Sequence, residues 1–213
     1  MSISGLSQRV QKISRFLVSA PESNSFSDVV SEEARKMRND SLGVFDYVKL
    51  DADPFAFQVH ARDDESKVFF STRNHTFLFT DRFIQLSASL NSTGRVWGLG
   101  ERMHEFYLDP GKYTLWNRFR SAPEDDGEEP GENLFGSHPV YFTQVKSDSR
   151  LVTGVFTLNA NAQDYIFSPD EQPDGFGLNV THITTGGVLD MFFFVEAEPE
   201  AVLRMFHSII GRP

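Results

Sequence analysis

The chain has 213 residues, 39% of them hydrophobic, and carries a formal net charge of −10. That length buries a sizeable core, as one large domain or two small ones, without covalent staples. The absence of cysteine excludes disulfide frameworks, thiolate metal sites and cysteine nucleophiles, and without a basic stripe nucleic acid is not an expected partner. Phenylalanine stands out at 21 copies. Aromatic residues favour strands, so such numbers predict an all-β core between packed sheets.

Residues 1–45 read as a lead-in distinct from the rest. Ile3, Leu6, Val10, Ile13 and Leu17 recur at steps of three and four. That spacing predicts an amphipathic helix, or a helix running into a strand at "RFLVSA". Ser27 to Arg38, "SDVVSEEARKMR", opens with capping residues and continues with helix formers. The lead-in reads either as a partner-binding helix or coiled-coil arm or as a variable, partly disordered extension, and the second reading is preferred. The start "MSISGLSQRVQKI" has no apolar h-region, so no secretory signal is expected in it.

From Asp46 the pattern changes to period two. "DPFAFQVHA" puts Phe55, Phe57 and Val59 on one face. "KVFFST" is a short apolar run, and "HTFLFTDRFIQLSASL" predicts a hairpin about Thr80–Arg82. "HPVYFTQV", "LVTGVFTLNA", "QDYIFSP" and "VLDMFFFVEA" follow at the spacing of a β-sandwich. No apolar run approaches the roughly 20 residues needed to span a bilayer. After Pro199, the residues Val202, Leu203, Met205, Phe206, Ile209 and Ile210 make the apolar stripe of a C-terminal helix, which Gly211 and Pro213 stop.

Between two of these strands, Ser121 to Asn133, "SAPEDDGEEPGEN", holds six acids. It predicts an exposed loop. Sequons occur at Asn39, Asn74, Asn91 and Asn179.

Both tryptophans fall within "GRVWGLGERMHEFYLDPGKYTLWN", Gly94 to Asn117. Its glycines do not make a phosphate cradle, because a strand follows rather than a helix. Alternation places Gly98 and Gly100 on one face, and Trp97 and Leu99 on the other. Glycine at two successive positions of one face lets another backbone come close. The six histidines are scattered; His104 beside Glu105 and His138 beside Pro139 are read as structural. No metal-ligand spacing, no cofactor motif and no Ser–His–Asp arrangement is found.

In order, "RVWGLGERMHEFYLDPGKYTLWN", "ENLFGSHPVYF" and "GGVLDMFFFVEAEPEAVLRMFHSIIGRP" resemble blocks of the N-terminal β-sandwich of glycoside hydrolase family 31, the α-glucosidase and maltase family. "DPFAFQVHARDDESKVFFST" and "FTDRFIQLSASL" resemble earlier strands of the same domain. The resemblance covers about residues 46–213. It implies an antiparallel sandwich of galactose-mutarotase-like type that packs on a catalytic barrel. Retaining hydrolysis in this family uses two barrel aspartates, so no catalytic residue is expected in this chain, and on its own it is not expected to hydrolyse. The implied partner is an α-glucosidic carbohydrate, reached through a barrel in cis or in trans.

The resemblance also implies that Trp116, Asn117, Phe119 and Ser121 form a sugar-facing edge. Family members commonly carry an aspartate two residues after the asparagine, where this sequence has Phe119; Asp125 or Asp126 could stand in only by a shift of register. Two other classes stay open. A free-standing sugar-binding or aldose-epimerising sandwich would use Glu101 and His104 as its acid and base. A scaffold protein would bind a partner through residues 3–17.

Overall fold

The computed structural model describes residues 13–18, 45–50, 56–61, 64–117, 133–171 and 175–211. The strands form two antiparallel sheets. β1 (Ile13–Val18), β7 (Val96–Gly98), β9 (Val140–Gln144), β10 (Val152–Thr157) and β13 (Leu189–Glu196) build a five-stranded sheet in the order β1-β13-β10-β9-β7. β2 (Phe45–Leu50), β3 (Ala56–Ala61), β4 (Asp64–Ser71), β6 (Phe83–Asn91), β8 (Gly111–Leu115), β11 (Gln163–Pro169) and β12 (Gly177–Thr184) build the larger sheet in the order β2-β3-β4-β6-β12-β11-β8. β5 (Phe77–Thr80) adds to β6. The hairpin falls where the sequence predicts it, with Thr80 opposite Phe83.

The main core lies between the sheets. β6 turns Ile84, Leu86, Ala88 and Leu90 inward, and β3 turns in Phe57 and Val59; Phe55 lies outside the described residues. Phe57, Phe70 and Phe193 pack ring to ring, with the Phe70 and Phe193 centroids 5.0 Å apart. β12, "GLNVTHIT", is a strand the sequence reading passes over. It pairs with β6 on one side and β11 on the other, and it turns Leu178, Val180, His182 and Thr184 inward.

The uninterrupted run "MFFFV" in β13 has a simple cause. Met191, Phe193 and Val195 enter the core between the sheets, while Phe192 and Phe194 join a second apolar cluster with Val140, Phe142, Val152 and Phe156. That second cluster is roofed by helix α1 (Pro199–Ile210), whose Val202 and Phe206 are buried in it. A strand covered on both faces needs apolar side chains on both. Gly154 lets the helix come close: a Cβ there would stand 2.8 Å from the Phe142 ring and 3.0 Å from Val202. The helix begins with Pro199 in its first turn, where a missing N–H costs nothing. Its predicted stripe is only partly covered, since Leu203 and Ile210 remain exposed.

The lead-in differs from its helical reading over the residues described. Ile13 to Val18 pair with Leu189 to Phe194 as the edge of the five-stranded sheet. The amphipathic helix therefore does not run through Ile13 and Leu17; the strand at "RFLV" is what forms. Extended backbone there finds a ready ladder on β13, which outweighs a weak local preference for helix. The predicted helix at Ser27–Arg38 lies outside the described residues.

Candidate functional site

The chain leaves β7 through three consecutive residues with left-handed backbone: Gly98 (φ 116°), Leu99 (φ 60°) and Gly100 (φ 84°). A regular strand would have alternated their side chains. Instead the chain coils, and Trp97 and Leu99 part company. Leu99 points into the core between the sheets and is fully buried. Trp97 lies on the other side of the five-stranded sheet, against the cluster roofed by α1. The shared face expected for these two residues is thereby corrected.

The expected close approach is present. A Cβ on Gly98 would stand 2.5 Å from the Val140 carbonyl oxygen, and one on Gly100 would overlap the Gly136 carbonyl oxygen. A left-handed leucine costs about 1–2 kcal/mol. Burial of its side chain and the 2.8 Å bond from its N–H to the Val140 carbonyl offset that cost.

Three segments are fastened around this coil. The Glu101 N–H donates to the Gly136 carbonyl (3.1 Å), and the Leu134 N–H donates to the Glu101 carbonyl (3.0 Å). Arg102 then ties the coil to β8. Its Nε donates to the Leu99 carbonyl (3.1 Å) and one terminal nitrogen donates to the Thr114 carbonyl (2.7 Å). The guanidinium lies 5.3 Å from the centre of the Tyr113 ring. Burial lowers its pKa to about 10, which still leaves it charged at neutral pH. Arg102 is the residue of this region that sequence reasoning missed. The only signal available was an arginine two positions after Gly100, a fork able to bond two carbonyls at once.

β8 ends at Leu115, and Trp116 and Asn117 follow it. Trp116 is 58% exposed, and Asn117 is exposed beside it. Phe119 and Ser121, the other two predicted site residues, lie outside the described residues, as do Asp125 and Asp126. Trp97 has a different role. Its ring stacks on Phe142 (6.1 Å) and Phe106 (6.0 Å) and meets the edge of Tyr107 (6.0 Å).

Glu101 and His104 are engaged separately. The Glu101 carboxylate accepts from the Gly136 N–H (3.3 Å). His104 sets its ring against Tyr113 and faces the Asp109 carboxylate at 4.0 Å. Among the described residues no three His, Asp or Glu side chains gather as a metal site, and no helix is long and apolar enough to cross a membrane.

A further polar group lies inside the sandwich rather than at this edge. His182 stacks on Tyr165 at 4.8 Å, and its Nε2 and the Tyr165 hydroxyl both reach the Gln163 side-chain oxygen, at 2.9 and 3.0 Å. Burial lowers the His182 pKa to about 4 and pushes the Tyr165 hydroxyl above its ordinary range. The imidazole is thus neutral at pH 7, a buried structural base.

Two antiparallel sheets with a helix on the smaller one make an all-β sandwich. The chain belongs to the glycosyl hydrolase 31 N-terminal galactose mutarotase-like domain family, whose model matches residues 7–164. It is 35% identical over 168 residues to lysosomal alpha-glucosidase of Bos taurus, covering 78% of this chain and 16% of that protein. It is 36% identical over 168 residues to a probable alpha-glucosidase of Oryza sativa subsp. japonica, covering 75% of this chain and 17% of that protein. The chain thus spans about a sixth of the length of these relatives. Among solved structures, the fold resembles the glucosidase II alpha subunit with a TM-score of 0.57 at 12% identity, over 77% of this chain and 22% of that one. It also resembles a Flavobacterium johnsoniae dextranase of glycoside hydrolase family 31, with a TM-score of 0.52 at 16% identity, over 72% of this chain and 17% of that one.

Proposed function

We propose that this domain is a non-catalytic wall of an α-glucosidase-like active site. In this reading residues 46–213 form the sandwich, residues 1–45 are a lead-in that lends β1 to it, and a catalytic barrel packs against them. The edge Trp116, Asn117, Phe119 and Ser121 faces the sugar. The observation that carries the reading is Trp116, an open aromatic face on a strand end that Arg102 fastens to the rest of the fold. Aromatic faces suit the apolar side of a pyranose, and a neighbouring amide can bond its hydroxyls. Phe119 offers no acceptor, so polar recognition is weaker than an aspartate there would give.

The reaction itself falls to two carboxylates of the barrel. The isolated chain is expected to turn over no chromogenic α-glucoside at acidic or neutral pH. A wall alone makes few hydrogen bonds, so glucose and maltose are expected to bind it at millimolar strength or weaker, about −4 kcal/mol. Phe119→Asp restores an acceptor, but an exposed bond to sugar merely replaces one to water. It is therefore expected to improve binding only with a family barrel supplied in trans. Titration of both sugars, followed by NMR shifts with and without the barrel, tests this. Micromolar binding by the isolated wild-type chain, or shifts that avoid Trp116, would overturn it. No observation favours the epimerase reading, whose acid and base are held by different partners. The scaffold reading loses its helix at Ile13–Val18.

A further inference from the structure

We infer that Asn74, in the turn between β4 and β5, is the sequon that the folded domain leaves open to an N-linked oligosaccharide when the chain is delivered to a secretory compartment, and that the fold closes the sequons at Asn91 and Asn179. All three carry the Asn-X-Ser/Thr pattern with threonine in the third place, so sequence alone does not separate them. Their hydrogen bonds do.

Asn91 is committed at both ends of its amide. Its Nδ2 donates to the Val68 carbonyl (2.9 Å) and to the Ser147 hydroxyl (3.0 Å), and its Oδ1 accepts from the Ser147 N–H (3.1 Å). A glycosylated amide nitrogen keeps one hydrogen, so one of the two donated bonds would break and a sugar would have to enter between β4 and the loop after β9. Asn179 sits mid-strand in β12, flanked by β6 and β11. Its Oδ1 accepts from the Ser89 hydroxyl (2.9 Å), and the hydroxyl of its sequon threonine, Thr181, is shared with Ser87 (2.8 Å).

Asn74 differs in each respect. It occupies the third place of the turn Thr72–His75, closed by the bond from the His75 N–H to the Thr72 carbonyl (3.2 Å), with φ at 61°. Asparagine tolerates that left-handed backbone better than most residues. Turn propensity would explain Asn74 but not Thr76, whose side chain is exposed like that of Asn74. Among the described residues neither the Asn74 amide nor the Thr76 hydroxyl has a hydrogen-bond partner, so a glycan there breaks no bond between them. The adjoining His75 anchors the turn through its Nε2 to Ser89 (2.7 Å), on the outer face of the larger sheet.

The transfer balances simply. The Asn74 amide nitrogen attacks C1 of an oligosaccharide carried on a lipid pyrophosphate. The bond from C1 to the phosphate oxygen breaks, the lipid pyrophosphate leaves, and the nitrogen gives up one proton to the transferase. Nothing is oxidised or reduced.

The test is expression of the full chain behind a cleavable signal sequence in cultured eukaryotic cells. Asn39→Gln is present in every sample to remove the sequon outside the described residues. Mass spectrometry of glycopeptides from the secreted monomer is expected to find Asn74 modified and Asn91 and Asn179 bare. Asn74→Gln and Thr76→Val should each abolish the glycan, and Asn179→Gln should leave it. If little monomer is secreted, the same peptides are read from chains translated into microsomes, where Asn74 is again expected to be modified. Bare Asn74 in both settings, or folded monomer glycosylated at Asn91 or Asn179, would overturn the assignment.

Discussion

The two outer faces of the sandwich solve the same problem in opposite ways. On the five-stranded sheet, Phe142, Phe156, Phe192 and Phe194 point away from the core, and the fold spends a helix and Trp97 on covering them. On the larger sheet the outward positions of β6 and β12 include Ser87, Ser89, Asn179 and Thr181, whose side chains bond one another across the strands. β8 and β11 continue the pattern, with Thr114 bonded to Asp164 at 2.6 Å and Lys112 paired with the same carboxylate at 2.8 Å. One face is apolar and needs a roof; the other satisfies its own polar groups and tolerates water. The difference teaches which face contributes to stability by burial and which by lateral hydrogen bonds, and the two respond to mutation on different scales.

The largest break in the comparison is a charge under the roof. Phe206 is buried and meets Phe156 edge to face at 5.1 Å. Phe206→Asp is expected to cost about 3–5 kcal/mol, through a lost aromatic contact and an unpaired buried charge. Chemical denaturation checks this. An unchanged midpoint would mean that α1 does not cover the sheet.

Between the faces, His182 makes the interior sensitive to acid. Its folded pKa is about 4 against an ordinary value of 6.5, so the unfolded chain binds its proton first. Its full stability is present above about pH 6.5 and is lost progressively as the pH falls to about 4. The loss is roughly 3 kcal/mol at 1.36 kcal/mol per pH unit. His182→Asn should flatten that part of the stability profile. An equally steep fall in wild type and variant would place the acid sensitivity elsewhere.

The tryptophans sharpen the same contrast within one segment. Trp97→Ala removes a ring stacked on two others under the roof side and is expected to cost about 2–3 kcal/mol. Trp116→Ala removes a side chain that is mostly in water and should change stability by less than about 0.5 kcal/mol. Paired thermal melts measure this, and equal losses would show that Trp116 is a packing residue rather than a free edge. The smallest effect belongs to the polar face. Ser89→Ala deletes the hydroxyl between His75 and Asn179 and is expected to cost about 1 kcal/mol. A loss as large as that of Phe206→Asp would mean that this face, too, is structurally indispensable.

Most strands were legible because their burial is one-sided or complete. β6 alternates, so Ile84 to Leu90 announced its inner face; β13 does not alternate, and its length and its aromatics announced it instead. β12 was hidden because its inward positions include His182 and Thr184, polar residues that read as surface until the Gln163 side chain meets the His182 Nε2 and the Ala162 carbonyl accepts from the Thr184 hydroxyl. The glycine-flanked stretch from Trp97 to Gly100 was legible as a close approach of backbones. Its path was not, since strand alternation describes regular backbone and three left-handed residues in a row are set by what Val140 and Gly136 leave room for.

The sequence by itself determined an all-β sandwich with a C-terminal helix and its family, because hydrophobic period, turn residues and motif order are local properties of the chain. Tertiary structure alone decided the rest. It placed Ile13–Val18 on β13, sent Trp97 and Leu99 to opposite sides of one sheet, and bound the edge to the core through Arg102. Each of these depends on partners distant in the chain, whose ladders, carbonyls and free volume exist only once the sheets have closed.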